Sequence, residues 1–273
     1  MNFNIYDERE KSIITRLRSA GCVFAEDETR LLLSEARTPA ALAAMVDRRA
    51  AGFPLEHIIG WADFCDIRIA VEPGVFIPRR RTEFLVHKAA AFAKPGDIIV
   101  DLCCGTGAVG AALASTLGWI ELYATDIDPA SVRCARRNIT FDGGHVYEGD
   151  LYEPLPIKLR SRVNILIANA PYVPTELIGL LPQEARVHEA LVALDGGADG
   201  LAVHRRVATE ALHWLAPGGY LLVETSKRQA LQTVDLFAQY GLIPQVEYYD
   251  ELDATVIIGT RPDLQPSTGN CNK

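Results

Sequence analysis

The sequence predicts an α/β protein in which a largely parallel sheet follows a small helical region. Beyond Pro95, apolar segments that fit buried strands alternate with segments of helical periodicity, and this alternation is typical of a parallel sheet covered by helices on both faces. Between residues 10 and 52, apolar residues recur at helical spacing alone. The 273 residues, 49% hydrophobic and 23% charged, suffice to bury a full core.

The N-terminal pattern fits two or three short helices. Thr38 followed by Pro39 predicts where the last of them begins, because threonine caps helix N-termini and proline suits the first helical position. Residues 57–64 and 66–71 have β character and predict a hairpin before Pro78 interrupts the chain.

We therefore expect four segments. They are a helical domain at residues 1–55, a linker or hairpin at 56–80, the sheet domain at 81–262, and a polar tail at 263–273 that we expect to be disordered.

The sheet domain alternates strand and helix in a regular order. Ligands of parallel sheets bind beyond the carboxyl ends of the strands, so polar residues at those ends are the candidate site residues. The segments in chain order are DIIVDL, AVGAALASTLG, IELYATDI, PASVRCARRNI, HVYEGD, NILIANA and, later, GGYLLVET.

Charge and composition narrow the classes of partner. The formal net charge of −8 disfavours free duplex DNA, because binding to phosphates depends on clustered Lys and Arg. No segment approaches the roughly 20 apolar residues that span a bilayer, and the N-terminal residues lack an apolar signal segment, so we expect a cytoplasmic protein that does not bind membranes. The six histidines show no metal-ligand spacing, so we expect no metal. The sequence indicates no oligomeric state.

Glycines follow the first strand of the sheet, in DLCCGTGAVG. Gly105 and Gly107 lie in the predicted turn, where the backbone can approach a ligand closely. With Gly110 they also fit the dinucleotide fingerprint, so this motif alone leaves both an adenosyl cofactor and a nicotinamide cofactor open.

Acidic residues end the next two predicted strands. Asp126 comes about 20 residues after the glycines, where a carboxylate accepts hydrogen bonds from ribose hydroxyls. Asp128 precedes Pro129 and is better explained as a helix N-cap. Asp150 is a candidate acceptor for an adenine amino group, and Leu151 could cover the ring. Together these residues favour an adenosine site.

The fourth predicted strand is followed by Asn169, Ala170, Pro171 and Tyr172. The Asn169 side chain and the Ala170 carbonyl offer two acceptors for a substrate NH2 group, and Tyr172 could stack on a planar amide. An amide nitrogen is a poor nucleophile, so such a site must work by positioning.

Several ordered blocks resemble the HemK/PrmC family of protein-(glutamine-N5) methyltransferases. The resemblance runs from about residue 48 to residue 261 and is carried by RRAAGFPLEHIIGWADF, VFIPRRRTEFLV, DLCCGTGAVG, ATDIDPASVRCARRN, GDLYEPL, NAPY, HEALVALDGGADGL and LAPGGYLLVE.

The resemblance implies a Rossmann-like S-adenosylmethionine-dependent methyltransferase sheet with an antiparallel last strand and an N-terminal helical domain that docks the substrate. It implies that Asn169, Ala170, Pro171 and Tyr172 hold the substrate glutamine, commonly one in a peptide-chain release factor. The residues that would contact the cofactor are Cys103, Cys104, Gly105, Thr106, Gly107, Asp126, Asp150, Leu151 and Asn169.

The sequence departs from the family pattern at two site positions. Ala170 stands where a proline is usual and loses the fixed φ angle of that residue, and Cys103 stands where the first glycine of the cofactor turn is usual. The N-terminal region is also shorter than is usual in the family.

Three other functions remain as alternatives. An adenine-N6 nucleic-acid methyltransferase shares the Asn-x-Pro-Tyr tetrapeptide, an NAD-binding oxidoreductase would use the glycines and Asp126, and a non-catalytic adaptor would bind cofactor alone. The basic cluster Arg79, Arg80 and Arg81 fits a solvated face or a contact with a peptide or an RNA-like surface.

Overall fold

The computed structural model describes residues 3–263. Disorder was predicted for the tail at residues 263–273. Of these, residues 264–273 lie outside the described residues. The helices are α1 Phe3–Ser19, α2 Ala25–Glu35, α3 Pro39–Ala50, α4 Leu55–Ile59, α5 Thr82–Phe92, α6 Ala108–Leu117, α7 Pro129–Asn138, α8 Gln183–His188, α9 Ala202–Trp214 and α10 Ala230–Gln239. The strands are β1 Trp61–Phe64, β2 Ile67–Ala70, β3 Ile98–Leu102, β4 Glu121–Asp126, β5 Gly144–Glu148, β6 Val163–Ala168, β7 Leu215–Thr225, β8 Ile243–Tyr249 and β9 Ala254–Thr260.

Seven strands form one sheet in the order β5-β4-β3-β6-β7-β9-β8. The first five of these are mutually parallel, and β9 is antiparallel to both of its neighbours. The predicted α/β fold with an antiparallel last strand is therefore confirmed. Apolar side chains fill both faces of the sheet, which is why its central strands read as continuous hydrophobic runs.

The central strand β3 positions the candidate site. The chain runs from β3 to β4 and β5 on one side, then returns to place β6 on the other side of β3. Such a reversal of strand order opens a crevice at the carboxyl ends. The register aligns Leu102 with both Thr125 and Ala168, so the residues that follow these three positions lie next to one another at the carboxyl edge of the sheet.

Helices α1, α2 and α3 enclose an apolar cluster of their own, which includes Leu17, Leu32 and Val46. Thr38 caps α3 as predicted, because its hydroxyl oxygen accepts a hydrogen bond from the Ala41 N–H at 3.1 Å. No helix among residues 3–263 is long and apolar enough to cross a membrane.

The segment between residues 55 and 70 contains the predicted hairpin and one helix that was not predicted. Strands β1 and β2 pair across a two-residue turn, in which Cys65 and Asp66 both have positive φ, as in a type I′ turn. The β character expected for residues 57–59 is wrong, since they lie in α4. Gly60, at φ +85°, ends that helix by donating to the Glu56 carbonyl at 2.8 Å.

Helix α5 was also not predicted from the residues. It begins immediately after the arginine cluster, and its first residue, Thr82, is buried. Leu85, Val86 and Ala89 pack on one face of the sheet, so the position of the helix start is fixed by core packing.

A buried ion-pair network joins the N-terminal helices to α8. Arg49 donates to the two carboxylate oxygens of Glu28 at 2.6 and 3.0 Å, and its Nη1 donates to Glu184 on α8 at 2.5 Å. Arg49 and Glu28 are almost fully buried, whereas Glu184 is about half exposed. The hydrogen bonds to Glu28 raise the pKa of Arg49, so the guanidinium remains charged.

The Arg49→Ala variant should lower the free energy of unfolding by roughly 3 kcal/mol, because it leaves the buried Glu28 carboxylate without its counterion. Denaturant unfolding followed by circular dichroism measures this loss. The control is Arg16→Ala, which removes an ion pair with Asp47 whose side chains are both more than half exposed. It should cost under about 0.5 kcal/mol. Equal losses in the two variants would contradict a structural role for the buried network.

Candidate active site

A cavity of about 480 Å³ opens at the carboxyl ends of β3, β4 and β6. Every residue that the sequence analysis proposed for the site lines it, except Gly107. The other lining residues come mainly from residues 76–82, from residues 181–194 and from α9. Their place around the cavity arises from tertiary packing, and the sequence analysis assigned none of them a contact with the cofactor or with the substrate amide.

The turn after β3 has a left-handed backbone at its first residue. Cys103 has φ +56°, a conformation that costs an L residue about 1–2 kcal/mol and that glycine adopts freely. A glycine, which is usual at this position in the family that the sequence resembles, would adopt this conformation without that cost. The Cys103 side chain is only partly buried and lies on the cavity wall.

Gly107 faces away from the cavity. A Cβ atom there would lie 2.9 Å from Cδ1 of Ile139, which directly follows α7, and 3.1 Å from Cβ of Ala135, which lies within α7. The absence of a side chain at Gly107 therefore allows α6 to pack closely on α7. The contact between Gly107 and the cofactor stays a prediction.

Asp126 is held by backbone N–H groups on both carboxylate oxygens. Gly105 donates to Oδ2 at 2.8 Å and Asp128 donates to Oδ1 at 2.9 Å. Burial raises the pKa of Asp126 even though these two donors oppose the shift, so burial outweighs them. A carboxylate accepts about four hydrogen bonds, which leaves two lone pairs for a ligand. Asp128 caps α7 as predicted, accepting from Ala130 and Ser131.

Asp150 lies two residues beyond the end of β5 rather than closing the strand. Arg206 on α9 donates to Asp150 Oδ2 at 2.7 Å, and Oδ1 accepts no hydrogen bond from any of residues 3–263. Leu151 has φ +49°, and its carbonyl accepts from the buried Thr125 hydroxyl at 2.9 Å. These contacts fix an apolar side chain and a carboxylate beside each other on the wall.

Asn169 and Ala170 follow β6 directly. The Asn169 amide nitrogen donates to the Thr82 hydroxyl at 3.3 Å. Neither Asn169 Oδ1 nor the Ala170 carbonyl accepts a hydrogen bond within the described part of the chain, and both residues line the cavity. The site therefore presents two acceptors that have room for donors.

Tyr172 is oriented by a buried carboxylate. Its hydroxyl donates to Glu224 Oε1 at 3.1 Å, and Arg81 Nε donates to the same oxygen at 3.2 Å. The Glu224 side chain is 2% exposed, so the guanidinium offsets a charge that would otherwise be costly to bury. Burial, aided by Glu224, raises the pKa of Tyr172, and the phenol stays protonated.

The glycine-rich segment DGGADG packs against the backbone of Tyr172. A Cβ atom at Gly200 would lie 2.3 Å from the Tyr172 carbonyl oxygen, and Gly200 has φ +75°, so only glycine fits without displacement. Gln229 donates to that same carbonyl at 3.0 Å and to the Asp199 carbonyl at 3.1 Å. This packing fixes the direction in which the chain leaves the tetrapeptide.

The arginine cluster has two internal partners. Arg79 donates to both oxygens of Glu189 at 2.6 and 2.7 Å, and Arg81 contacts Glu224. Arg80 is exposed and has no ion-pair partner among residues 3–263. Most of the cluster is therefore structural.

Among residues 3–263, no group of three or more His, Cys, Asp or Glu side chains is arranged to hold a metal ion.

Known proteins resemble this chain in both sequence and fold. The family model described as "Methyltransferase small domain" matches residues 66–198. The release factor glutamine methyltransferase of Geobacter sulfurreducens is 34% identical over 224 residues, which cover 81% of this chain and 78% of that protein. The protein of the same name from Mycolicibacterium smegmatis is 38% identical over 221 residues, covering 79% and 78%. A methyltransferase from Pyrococcus furiosus shares the fold with a TM-score of 0.54 at 16% identity, over 71% of this chain and 88% of that chain.

Asp101, at the end of β3, adds a buried acid to the cavity wall that the sequence analysis did not single out. It is 1% exposed and accepts one hydrogen bond, from the Gly110 N–H at 3.3 Å. Burial raises the pKa of Asp101 to about 7. The unfolded value is about 3.9, so between these two pH values the folded protein holds a proton that the unfolded chain releases.

The free energy of unfolding should therefore fall as pH rises from about 4 to about 7, with a slope for this group approaching about 1.4 kcal/mol per pH unit. Asp101→Asn should remove that contribution and become the more stable protein near pH 8. Denaturant unfolding of both proteins across this range measures the difference, with Asp142→Asn on an exposed residue as the control. Parallel pH profiles for wild type and Asp101→Asn would contradict the prediction.

Proposed function

The chain belongs to the family of release factor glutamine methyltransferases, and from that membership we propose that it methylates the side-chain amide nitrogen of a glutamine in a peptide-chain release factor. It is an S-adenosylmethionine-dependent methyltransferase, so the nicotinamide alternative is not retained. The observation that carries the choice of substrate group is the pair of open acceptors, Asn169 Oδ1 and the Ala170 carbonyl, on the wall of the same cavity as Asp126.

The residues on the β4 side of the cavity fit the adenosyl part of the cofactor. Asp126 keeps free lone pairs for two ribose hydroxyls, because its backbone donors use only part of its capacity. Asp150 Oδ1 would accept from the adenine amino group, and Leu151 would cover the ring. The turn from Cys103 to Thr106 would hold the methionine part. When bound, S-adenosylmethionine supplies an electrophilic methyl group.

Asn169 and Ala170 would orient the substrate. A glutamine NH2 group that donates one hydrogen to Asn169 Oδ1 and the other to the Ala170 carbonyl has its nitrogen fixed in position and in plane. Both acceptors favour the positive charge that develops on the nitrogen during attack. Tyr172, held by Glu224, would stack on the amide plane. Positioning of this kind compensates for a poor nucleophile, and it requires no base before attack.

We further propose that the helical segment, residues 1–55, docks the release factor, with 56–80 as linker and 81–262 as the catalytic domain. The Arg49 network supports a fixed placement, because it connects α2 and α3 to Glu184, which lines the cavity. A partner bound to the helices would therefore be held at a defined distance from Asn169.

The Asn169→Ala variant should reduce methylation of a release factor by roughly 100-fold, the size of effect expected when a reacting group is no longer oriented. The assay incubates wild type and variant with methyl-labelled S-adenosylmethionine and purified release factors, and it maps the product by mass spectrometry. The matched control is Gln232→Ala, which removes an exposed amide on α10, outside the cavity, and should keep full activity.

The assay also separates the other functions. Label on an adenine-containing oligonucleotide, on a residue other than glutamine, or nowhere despite cofactor binding would refute the proposed function. The last of these outcomes, cofactor binding without any turnover, would identify an adaptor.

A further inference from the structure

We propose that Thr82 is a positioning residue that holds the Asn169 side-chain amide with its oxygen toward the substrate. The inference rests on the proposed function, because it concerns how the same site orients a glutamine amide. Thr82 precedes Asn169 by 87 residues, and nothing in the sequence linked the two positions.

Thr82 is a rigid reference point. It is the first residue of α5 and is 3% exposed, and its backbone N–H donates to the Arg79 carbonyl at 2.9 Å. Leu85 and Val86 on the next turn are buried against the sheet. The hydroxyl therefore has little freedom to move away from Asn169, whose own backbone is fixed by the end of β6.

The hydrogen bond satisfies the end of the Asn169 amide that a glutamine NH2 group cannot use. The oxygen and nitrogen ends of an asparagine are nearly identical in shape, and a hydroxyl can accept from one end or donate to the other. A bound glutamine NH2 group needs the oxygen end, so the nitrogen end then needs an acceptor, and the Thr82 hydroxyl is placed to supply it. Nδ2 donates to Thr82 Oγ1 at 3.3 Å and has no other acceptor among residues 3–263, which leaves Oδ1 for the substrate. The opposite orientation would present an NH2 donor to the donor NH2 group of glutamine.

Replacing the hydroxyl while keeping the shape tests the proposal. Thr82→Val should lower kcat for release factor methylation about tenfold, the rate equivalent of one hydrogen bond. Thr82→Ser, which keeps the hydroxyl, should restore kcat to within about threefold of wild type on the same scale. Cofactor affinity, measured as Kd by calorimetry, should stay within about twofold in both variants, since the Asp126 and Asp150 carboxylates assigned to the adenosyl group are held by partners other than Thr82.

A second measurement is independent of activity. In wild type, the side-chain NH2 protons of Asn169, assigned from their loss in Asn169→Ala, should exchange with solvent more slowly than in Thr82→Val, with Thr82→Ser like wild type. Equal exchange in wild type and Thr82→Val, wild-type kcat in Thr82→Val, or a Thr82→Ser variant as impaired as Thr82→Val would each overturn the proposal. Absence of glutamine labelling by wild type, with the exchange difference present, would instead refute the proposed function and leave the hydrogen bond intact.

Discussion

The parallel pairing of β3 with both β4 and β6 is the constraint on which the site depends. Its register sets Leu102, Thr125 and Ala168 side by side, so these three strands end at nearly the same position along the sheet. The next residues along these strands are the cofactor turn, Asp126 and Asn169. A shift of one residue in either pairing would reverse the faces of that strand and separate the acidic side chain from the amide.

Three polar side chains on this rim are each oriented by hydrogen-bond partners from neighbouring elements. Backbone N–H groups hold Asp126, Thr82 holds Asn169, and Glu224 holds Tyr172. The burial that makes these contacts effective also disfavours ionisation, as the raised pKa of Asp126 shows. The site therefore relies on fixed hydrogen-bond directions more than on strongly charged groups, which suits a substrate amide that is neutral.

The sequence predicted the groups that line the cavity better than the groups that orient them. Asp126 and Asn169 follow apolar strands, and that local pattern is visible in the chain. Thr82, Arg206 and Glu224 come from elements 50 or more residues away from their partners, so only the tertiary fold brings them to the site. Residues 57–59 were misassigned because a short apolar run fits a strand and a helix equally well. In the structure they lie in α4, which Gly60 ends with a left-handed backbone.

The most direct test is a crystal structure of the protein with S-adenosylhomocysteine and a release factor fragment that contains the modified glutamine. The account predicts that the glutamine side-chain nitrogen lies within hydrogen-bonding distance of both Asn169 Oδ1 and the Ala170 carbonyl oxygen, with the cofactor ribose on Asp126. A glutamine amide bound elsewhere in the cavity, or one that meets the NH2 end of Asn169, would contradict it.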